Sequence, residues 1–268
     1  MSEKCHSMLL DARGRVLGQI GSVVYDFADG ETIPEHYHPE HQLVYASSGV
    51  MTVHTKQGVW VVPPMRAVWI PAKTPHRIVM SGRVSMRTLY FLVTLGRKLP
   101  RKCLVMNVSP LLRELILHAC GFKRLKGRAP QEKRLIEMIV DQLEAVRSIP
   151  LQLPHPGDTR AMRVVKMLSA NPSDDRTLDR LCKDCGASKR TVERIFLRET
   201  KMTFAKWRQQ LRLLRSLELL ASGEKVTAAA LEAGYSSPSA FIAMFRSELG
   251  TTPRRYFANG RAERAAPL

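Results

Sequence analysis

The sequence predicts a multidomain α+β protein. An N-terminal β-barrel is followed by two helices, and a C-terminal all-α domain holds two helix-turn-helix units joined by a long helix. Two observations support this prediction. Near residue 105, short strand-like runs give way to apolar residues at helical spacing, and beyond residue 158 the helical pattern occurs twice. The predicted boundaries are 1–104 for the barrel, 105–150 for the helical segment and 158–260 for the all-α domain.

Residues 20–95 have the pattern of β-strands. Short runs rich in Val, Ile, Tyr and Trp are separated by glycine or proline, which interrupt strands. The runs are IGSVVYDF, HQLVYASS, VMTVHT, VWVVPP, AVWIPA, HRIVMS and VSMRTLYFLV. With Gly49 and Gly82 among the breaks, we expect each run to be a separate strand of a sandwich or small barrel.

Two helices are predicted after the strands. Ser109 followed by Pro110 is a helix start, because a hydroxyl caps the first turn and proline suits the first helical position. A second helix is expected from about Pro130 to Arg147, with apolar residues on one face. Because the barrel before them is already complete, part of this apolar surface is expected to pack against a second subunit, which predicts a homodimer. The segment SIPLQLPHPGD, 148–158, holds three prolines and a glycine and is predicted to be a linker.

The all-α half contains an internal repeat. Its first part recurs at an offset of 48, pairing Leu178, Leu181, Cys182 and Gly186 with Val226, Ala229, Ala230 and Gly234. Its second part recurs at an offset of 49, pairing Phe196, Glu199, Thr203 and Trp207 with Phe245, Glu248, Thr252 and Tyr256. Each copy reads as helix, glycine-bearing turn, helix, which is the helix-turn-helix plan. The long helix between the copies, 204–223, is expected to hold the two units about one DNA turn apart.

The second helix of each unit is predicted to present polar and small residues outward. Ser188 is a plausible cap of the first such helix, and Ser237-Pro238 starts the second. Apolar residues at helical spacing face inward, which leaves Lys189, Arg190, Glu193 and Arg194 in the first helix, and Ser239, Ile242, Ala243 and Arg246 in the second, toward solvent or DNA. The alternative is an all-α repeat whose basic face is only solvated.

The net charge of +18 suggests a polyanionic partner, most simply nucleic acid. The residues before and after 157 share this charge equally, so charge alone does not identify the half that binds DNA. The five cysteines are scattered, and an apolar leader or membrane span is not found in the sequence. A cytoplasmic protein without membrane contact is therefore expected.

The chain resembles the AraC family of bacterial transcription regulators. The resemblance is carried by CGASKRTVERIFLRETKMTFAKW at 185–207, RLLRSLELLASG at 212–223 and AGYSSPSAFIAMFRSELGTTPRRYF at 233–257. The N-terminal half is similar to the cupin-type sensor domain common in that family, with the segments HQLVYASSGVMTV and PPMRAVWIPAKTPH. The resemblance implies a one-component activator or repressor that binds a double-stranded operator and senses a small-molecule effector or metal.

The resemblance also implies which residues face DNA. Positions that meet bases in the family correspond to Arg190, Glu193 and Arg194, then to Ser239, Ile242 and Ala243. Ala243 stands where relatives commonly have arginine, which weakens the expected readout by the second unit, and Lys201 stands where a glycine is usual. With their neighbours, the candidate DNA-binding residues are Ser188, Lys189, Arg190, Thr191, Glu193, Arg194, Ser236, Ser237, Ser239, Ile242, Ala243 and Arg246.

The stretch HYHPEHQ, 36–42, is the candidate sensor site. In a strand His36 and His38 point to one face and His41 to the other. In the cupin metal pattern His36, His38 and a later histidine, His76, match ligand positions, while Gln42 stands at the carboxylate position. Two interpretations stay open. The three histidines bind a divalent metal, since imidazole suits Zn, Fe, Cu and Ni, or they line a polar pocket in which they hydrogen-bond each other or an organic effector. The cofactor is therefore unknown.

A cupin-type metalloenzyme with an accessory DNA-binding domain is the alternative function. The sequence shows no nucleophile, general-base pair or cofactor motif beside the histidines, and the amide at Gln42 favours a sensor over a catalyst. We therefore expect no enzymatic activity and no catalytic residues.

Overall fold

The computed structural model describes residues 3–4, 7–95, 99–145, 148–149 and 151–262, with backbone only for 3–4, 148–149 and 259–262. In this part of the chain, eleven strands form one sheet that folds into the N-terminal barrel. They are β1 (Glu3–Lys4), β2 (Ile20–Phe27), β3 (Thr32–Tyr37), β4 (His41–Thr55), β5 (Gly58–Val62), β6 (Arg66–Ile70), β7 (His76–Phe91), β8 (Leu104–Asn107), β9 (Arg124–Leu125), β10 (Ser148–Ile149) and β11 (Gln152–Pro154).

The long strands β4 and β7 form the centre of the sheet. They pair antiparallel with each other along most of their length. The first part of β7 also pairs with β3, and its second part pairs with β2. One strand therefore belongs to both sides of the barrel, which brings the ends of β3, β4 and β7 together.

The breaks predicted at Gly49 and Gly82 are wrong, because both glycines lie inside continuous strands. Gly49 has φ 74° and Gly82 has φ 71°, and the register of β4 against β7 shifts beside Gly49, between Ala46 and Val50. Irregular pairing of this kind bends a strand without ending it, and glycine permits the backbone angles involved. HQLVYASS and VMTVHT are thus one strand, as are HRIVMS and VSMRTLYFLV.

Two helices cover one face of the barrel. They are α1 (Pro110–Cys120) and α2 (Pro130–Ala145), and the predicted end of the second helix, Arg147, lies outside the described residues. Ser109 caps α1 by accepting a hydrogen bond from the amide of Leu112. The buried side chains of α1 and α2 pack on the sheet in a second apolar core; they are Leu112, Ile116, Ala119, Ile136, Ile139 and Leu143. Most of the predicted apolar stripe is therefore used within one chain.

The predicted linker contains two short strands. The backbone of Ser148–Ile149 pairs with β8, and Gln152–Pro154 pairs with β5. These pairings tie the described part of the segment to the barrel up to Pro154. The domain boundaries around it remain predictions.

The C-terminal half is helical. Its helices are α3 (Thr159–Ala170), α4 (Leu178–Cys185), α5 (Lys189–Ile195), α6 (Phe204–Ala221), α7 (Val226–Glu232), α8 (Pro238–Leu249) and α9 (Pro253–Ala262). A π-helical turn, Phe196–Thr200, follows α5 directly. Within the described ranges, no helix has the length and apolar character needed to cross a membrane.

Helix α6 is the longest helix of this half and is buried on almost every side. Leu211, Leu214, Leu217 and Leu220 form the predicted stripe, but Gln210 and Ser216 are buried as well. A helix buried all round has neighbours on all faces. Here α6 packs between its own domain and the barrel, and one apolar core runs from the barrel strands into the C-terminal helices.

The barrel contacts the C-terminal half through polar groups too. Thr52 on β4 donates a hydrogen bond from Oγ1 to Glu218 Oε1 at 2.7 Å. Trp207 Nε1 donates to the carbonyl oxygen of Pro154 at 3.0 Å. We call the barrel face of α6, with Thr52, Gly82 and Glu218 at its centre, the barrel–α6 interface.

Candidate nucleic-acid interface and sensor pocket

Two helix-turn-helix units are present in the described structure. The first consists of α4 and α5, and the second consists of α7 and α8. The turn glycines Gly186 and Gly234 have φ 67° and 89°, in the left-handed region where a side chain is strained. The repeat identified in the sequence therefore corresponds to two copies of the same backbone turn.

Helix α5 presents a charged face. Val192 and Ile195 are buried, and Arg190, Glu193 and Arg194 are exposed on the opposite side. Their guanidinium and carboxylate groups are the chemical types that read guanine and cytosine edges in a major groove.

The other predicted residues of this unit are involved in local contacts. Ser188 caps α5, accepting a hydrogen bond from the Thr191 amide at 3.3 Å, and the two hydroxyl oxygens lie 3.0 Å apart. Lys189 is exposed and forms an ion pair with Asp179, with Nζ 3.7 Å from Oδ2. The cap and the ion pair connect the start of α5 to its surroundings.

Helix α8 presents a less charged surface than α5 does. Ser239, Ala243 and Arg246 are exposed, and Ile242 is 37% exposed, while Phe241 and Phe245 are buried beneath them. This face offers a hydroxyl, two apolar groups and one charge at its edge. Ser237 caps the helix by accepting a hydrogen bond from the Ala240 amide at 3.2 Å, and Ser236 before it is exposed.

The two units end differently. In the first, α5 passes into the π-helical turn and ends at Lys201, which has φ 61°. In the second, α8 ends at Gly250, which has φ 77°. Both positions need a left-handed residue, but only the second has the glycine that adopts this conformation without strain.

Three histidines meet where β3, β4 and β7 come together. His36 and His76 are directly paired across β3 and β7, and His38 follows β3. The ring centroids lie 4.3 Å apart for His36 and His76, 4.8 Å for His36 and His38, and 5.6 Å for His38 and His76. One ligand nitrogen from each ring lies within 4.8 Å of the others, and all three residues are buried. We call this cluster the histidine pocket.

Gln42 lies beside the histidine pocket. Its side-chain amide nitrogen donates to Thr88 Oγ1 at 3.1 Å and to the Tyr90 hydroxyl at 3.2 Å. The Tyr90 ring packs edge-on against His38, with centroids 4.8 Å apart. His41 lies elsewhere: its Nδ1 accepts a hydrogen bond from the Ala72 amide at 2.9 Å, and its ring packs near Trp69.

Burial favours the neutral form of two of the histidines in the pocket, His38 and His76. Burial, with smaller contributions from His36 and His76, lowers the pKa of His38 to about 3. Burial also lowers the pKa of His76 to about 4, against the opposing hydrogen bond to Thr74. Since desolvation disfavours a charged ring, His38 and His76 each keep a nitrogen lone pair.

The sequence pattern does not predict the barrel–α6 interface. Asp29 Oδ1 accepts hydrogen bonds from the Gly82 amide at 2.6 Å and from Ser222 Oγ at 3.4 Å, which joins the barrel to the end of α6. The one residue in the sequence that could indicate this interface is Gly82, but the strand pattern predicts a break between two strands there. Nothing local marks Thr52 or Glu218, because their contact spans 166 positions of the chain.

Comparison with known proteins assigns both halves. Residues 22–153 match the AraC-like ligand binding domain, and residues 181–259 match a helix-turn-helix domain family. The chain is 34% identical over 230 residues to the HTH-type transcriptional regulator NimR of Escherichia coli, covering 86% of this chain and 84% of that protein. It is 22% identical over 249 residues to the virulence regulon transcriptional activator VirF of Yersinia enterocolitica, covering 90% and 84% of the two chains.

Solved structures show a more distant likeness. The crystal structure of fatty-acid-bound ToxT from Vibrio cholerae matches with a TM-score of 0.38 and 13% identity, over 89% of this chain and 95% of that one. The assignment depends on the two domain matches and on the similarity to NimR. This chain, with its ligand-binding barrel and its paired helix-turn-helix units, belongs to the AraC family of DNA-binding transcription regulators.

Proposed function

We propose that this regulator reads its operator mainly through α5, with α8 in a supporting role. The observation that carries the proposal is the contrast between the two exposed faces. Arg190, Glu193 and Arg194 can form directional hydrogen bonds with base edges. Ser239 and Ala243 suit phosphate and thymine-methyl contacts, which contribute less to sequence discrimination.

The helix between the units supports binding by both at once. Helix α6 has 18 residues, so it is about 27 Å long at a rise of 1.5 Å per residue. Successive major-groove segments on one face of DNA lie about 34 Å apart. Units at the two ends of a rigid helix of this length are suited to neighbouring groove segments.

Arg194→Ala tests base reading. The variant is expected to weaken binding to an operator selected by the wild-type protein by about 1–3 kcal/mol, roughly 5- to 150-fold, with little change on random DNA. Fluorescence anisotropy at one fixed salt concentration measures both dissociation constants.

Arg198→Ala is the matched control, because Arg198 is exposed in the following turn and carries the same charge. Its loss is expected to weaken operator and random DNA by the same small factor. If Arg194→Ala also weakens both DNAs equally, Arg194 is a phosphate contact and the proposal is wrong.

We propose that the effector binds in the histidine pocket, among His36, His38, Gln42 and His76. Two strands of the barrel each carry one residue of the pocket and one residue of the barrel–α6 interface, where the DNA-binding half is contacted. Strand β7 carries His76 and, six positions later, Gly82 at the barrel–α6 interface; β4 carries Gln42 and then Thr52. An effector that prefers one arrangement of these strands changes how α6 presents the two units, which is the differential affinity that allostery requires.

The barrel is proposed to sense rather than to catalyse. The described groups around the pocket are imidazoles, an amide, a hydroxyl and a phenol, whose hydrogen bonds run to one another and to the backbone. Such a set recognises a ligand by shape and hydrogen bonding. Turnover of any candidate ligand by the full-length protein would contradict this part of the proposal.

The active species is proposed to be a homodimer. Leu111 on α1 is 50% exposed and Met138 on α2 is 46% exposed, whereas apolar neighbours such as Leu112 and Ile139 are buried in the core with the barrel. Exposed apolar side chains on the outer layer of a domain are suited to contact with a second copy. Sedimentation equilibrium measures the mass, and a monomer at micromolar concentration with its operator present would contradict the proposal.

A further inference from the structure

The histidine pocket leaves buried nitrogen atoms without hydrogen-bond partners. Among the described residues, none is found for Nε2 of His38, Nε2 of His76 or Oε1 of Gln42. A buried polar atom without a partner is unfavourable, so three such atoms close together point to a bound species.

Two of the rings are oriented by backbone carbonyls. His36 Nδ1 donates to the carbonyl oxygen of Pro34 at 2.7 Å, and His76 Nδ1 donates to that of Thr74 at 2.9 Å. In the tautomer that each of these hydrogen bonds selects, the proton is on Nδ1 and Nε2 carries the lone pair. Metal-ligating histidines typically have this arrangement, in which an outer hydrogen bond fixes the tautomer and the ring orientation.

A cation satisfies the pocket better than a water molecule does. Each of the three imidazole rings offers one ligand nitrogen, and these nitrogens lie within 4.8 Å of one another. Water has two O–H donors, so it cannot satisfy Nε2 of His38, Nε2 of His76 and Oε1 of Gln42 together, whereas a metal ion can accept a lone pair from each of them. Nitrogens about 2.0–2.1 Å from a zinc ion are about 3–4 Å apart, so the rings need to close by about 1 Å around a bound ion.

The donor set indicates which ions fit. Glu40 is not a member of the cluster, and its Oε1 accepts hydrogen bonds from Ser7 Oγ and, at 3.2 Å, from the Leu9 amide. The described histidine cluster therefore contains imidazole nitrogens, with the Gln42 amide oxygen as a further donor. Imidazole sites favour Zn²⁺, Co²⁺, Ni²⁺ and Cu²⁺ over Mg²⁺ and Ca²⁺, which require oxygen ligands.

We propose that His36, His38 and His76 bind one divalent transition-metal ion, with Gln42 Oε1 beside it, and that this ion forms part of the effector site. The inference rests on the proposed sensing role of the pocket and specifies its chemistry. Since the three ring ligands are neutral, they leave the ion's double charge uncompensated, and an effector with an anionic group is favoured in the remaining coordination positions.

Cobalt titration of the full-length, tag-free, chelator-treated protein tests the proposal. The wild type is expected to bind one Co²⁺ per chain, with d–d absorption bands that report nitrogen coordination. His76→Ala is expected to lose the bands and at least ten-fold in affinity. His41→Gln is the matched control, because His41 lies outside the cluster and the glutamine can still accept the Ala72 hydrogen bond; this variant is expected to bind as the wild type does.

Gln42→Glu gives a readout that a purely structural role would not produce. A carboxylate at this position supplies negative charge to the ion, so cobalt affinity is expected to rise at least ten-fold. Wild type that binds no Co²⁺, or His76→Ala that binds as tightly as wild type, would overturn the metal site. A failure of cobalt binding in protein that still binds its operator would overturn this inference and leave the DNA-reading proposal intact.

Discussion

Substitution of Gly82 by alanine probes the barrel–α6 interface directly. Gly82 has φ 71°, and a Cβ added there would lie 2.1 Å from the carbonyl oxygen of Ala221 and 2.8 Å from its carbon. Both atoms belong to backbone in the last turn of α6, so no side-chain rotation relieves the contact. The barrel and α6 must separate locally, which also disturbs the hydrogen bonds of Asp29 to Gly82 and Ser222.

Two contributions set the size of the effect. An L-residue in the left-handed region costs about 1–2 kcal/mol. Overpacking against a rigid neighbour costs a further ~1–3 kcal/mol. Gly82→Ala is therefore expected to lower the free energy of unfolding by about 2–5 kcal/mol.

Gly30→Ala is the matched control. Gly30 has φ 79°, but an added Cβ there meets nothing within 4 Å. It carries the backbone strain alone, about 1–2 kcal/mol. Urea unfolding measures the totals, and hydrogen exchange of the last turn of α6 measures the local effect. Equal losses in both variants, or unchanged exchange in α6 of Gly82→Ala, would show that the interface does not hold the two halves together.

Two further changes are predicted. Lys201→Gly is expected to stabilise the protein by about 1 kcal/mol, because it removes left-handed strain at φ 61°, and Gly250→Ala at φ 77° is expected to destabilise it by a similar amount. Differential scanning calorimetry should show shifts of opposite sign, and shifts of the same sign would contradict this account. Trp207→Phe removes the hydrogen bond to the carbonyl of Pro154 and is expected to lower the free energy of unfolding by about 1–3 kcal/mol, as measured by urea unfolding. An unchanged free energy of unfolding would show that this hydrogen bond does not stabilise the protein.

The helix-turn-helix units could be predicted because their signals are local. A cap such as Ser237 and a turn glycine such as Gly234 act within one turn of their own position. Their repetition at nearly constant offset predicts the register of both units from the sequence alone. The exposed faces of α5 and α8 then followed from helical periodicity.

The long strands could not be predicted, because glycine has two uses in a sheet. Gly49 and Gly82 look like turn residues in the sequence, and they do adopt positive φ. The pairing partners on β4 and β7 continue on both sides of each glycine, however, so the strand bends and goes on. Only long-range pairing distinguishes a bulge from a turn.

The histidine pocket was partly predictable. Strand alternation placed His36 and His38 on one side and His41 on the other, and the resemblance supplied His76. The carbonyls of Pro34 and Thr74 that orient two of the rings depend on the detailed path of the backbone, which residue types do not reveal.

The dense burial of α6 bears on how regulators of this kind are recombined. A chimera joined in the segment 150–158 would bring a foreign barrel against Glu218 and Ala221, which here meet Thr52 and the bare backbone of Gly82. Any side chain at the equivalent of Gly82 would push the helix away. An exchange of sensor domains therefore requires that the α6 residues facing the barrel are exchanged together with it. The unit that must be transferred thus includes these residues of α6 as well as the segment of chain that forms the barrel.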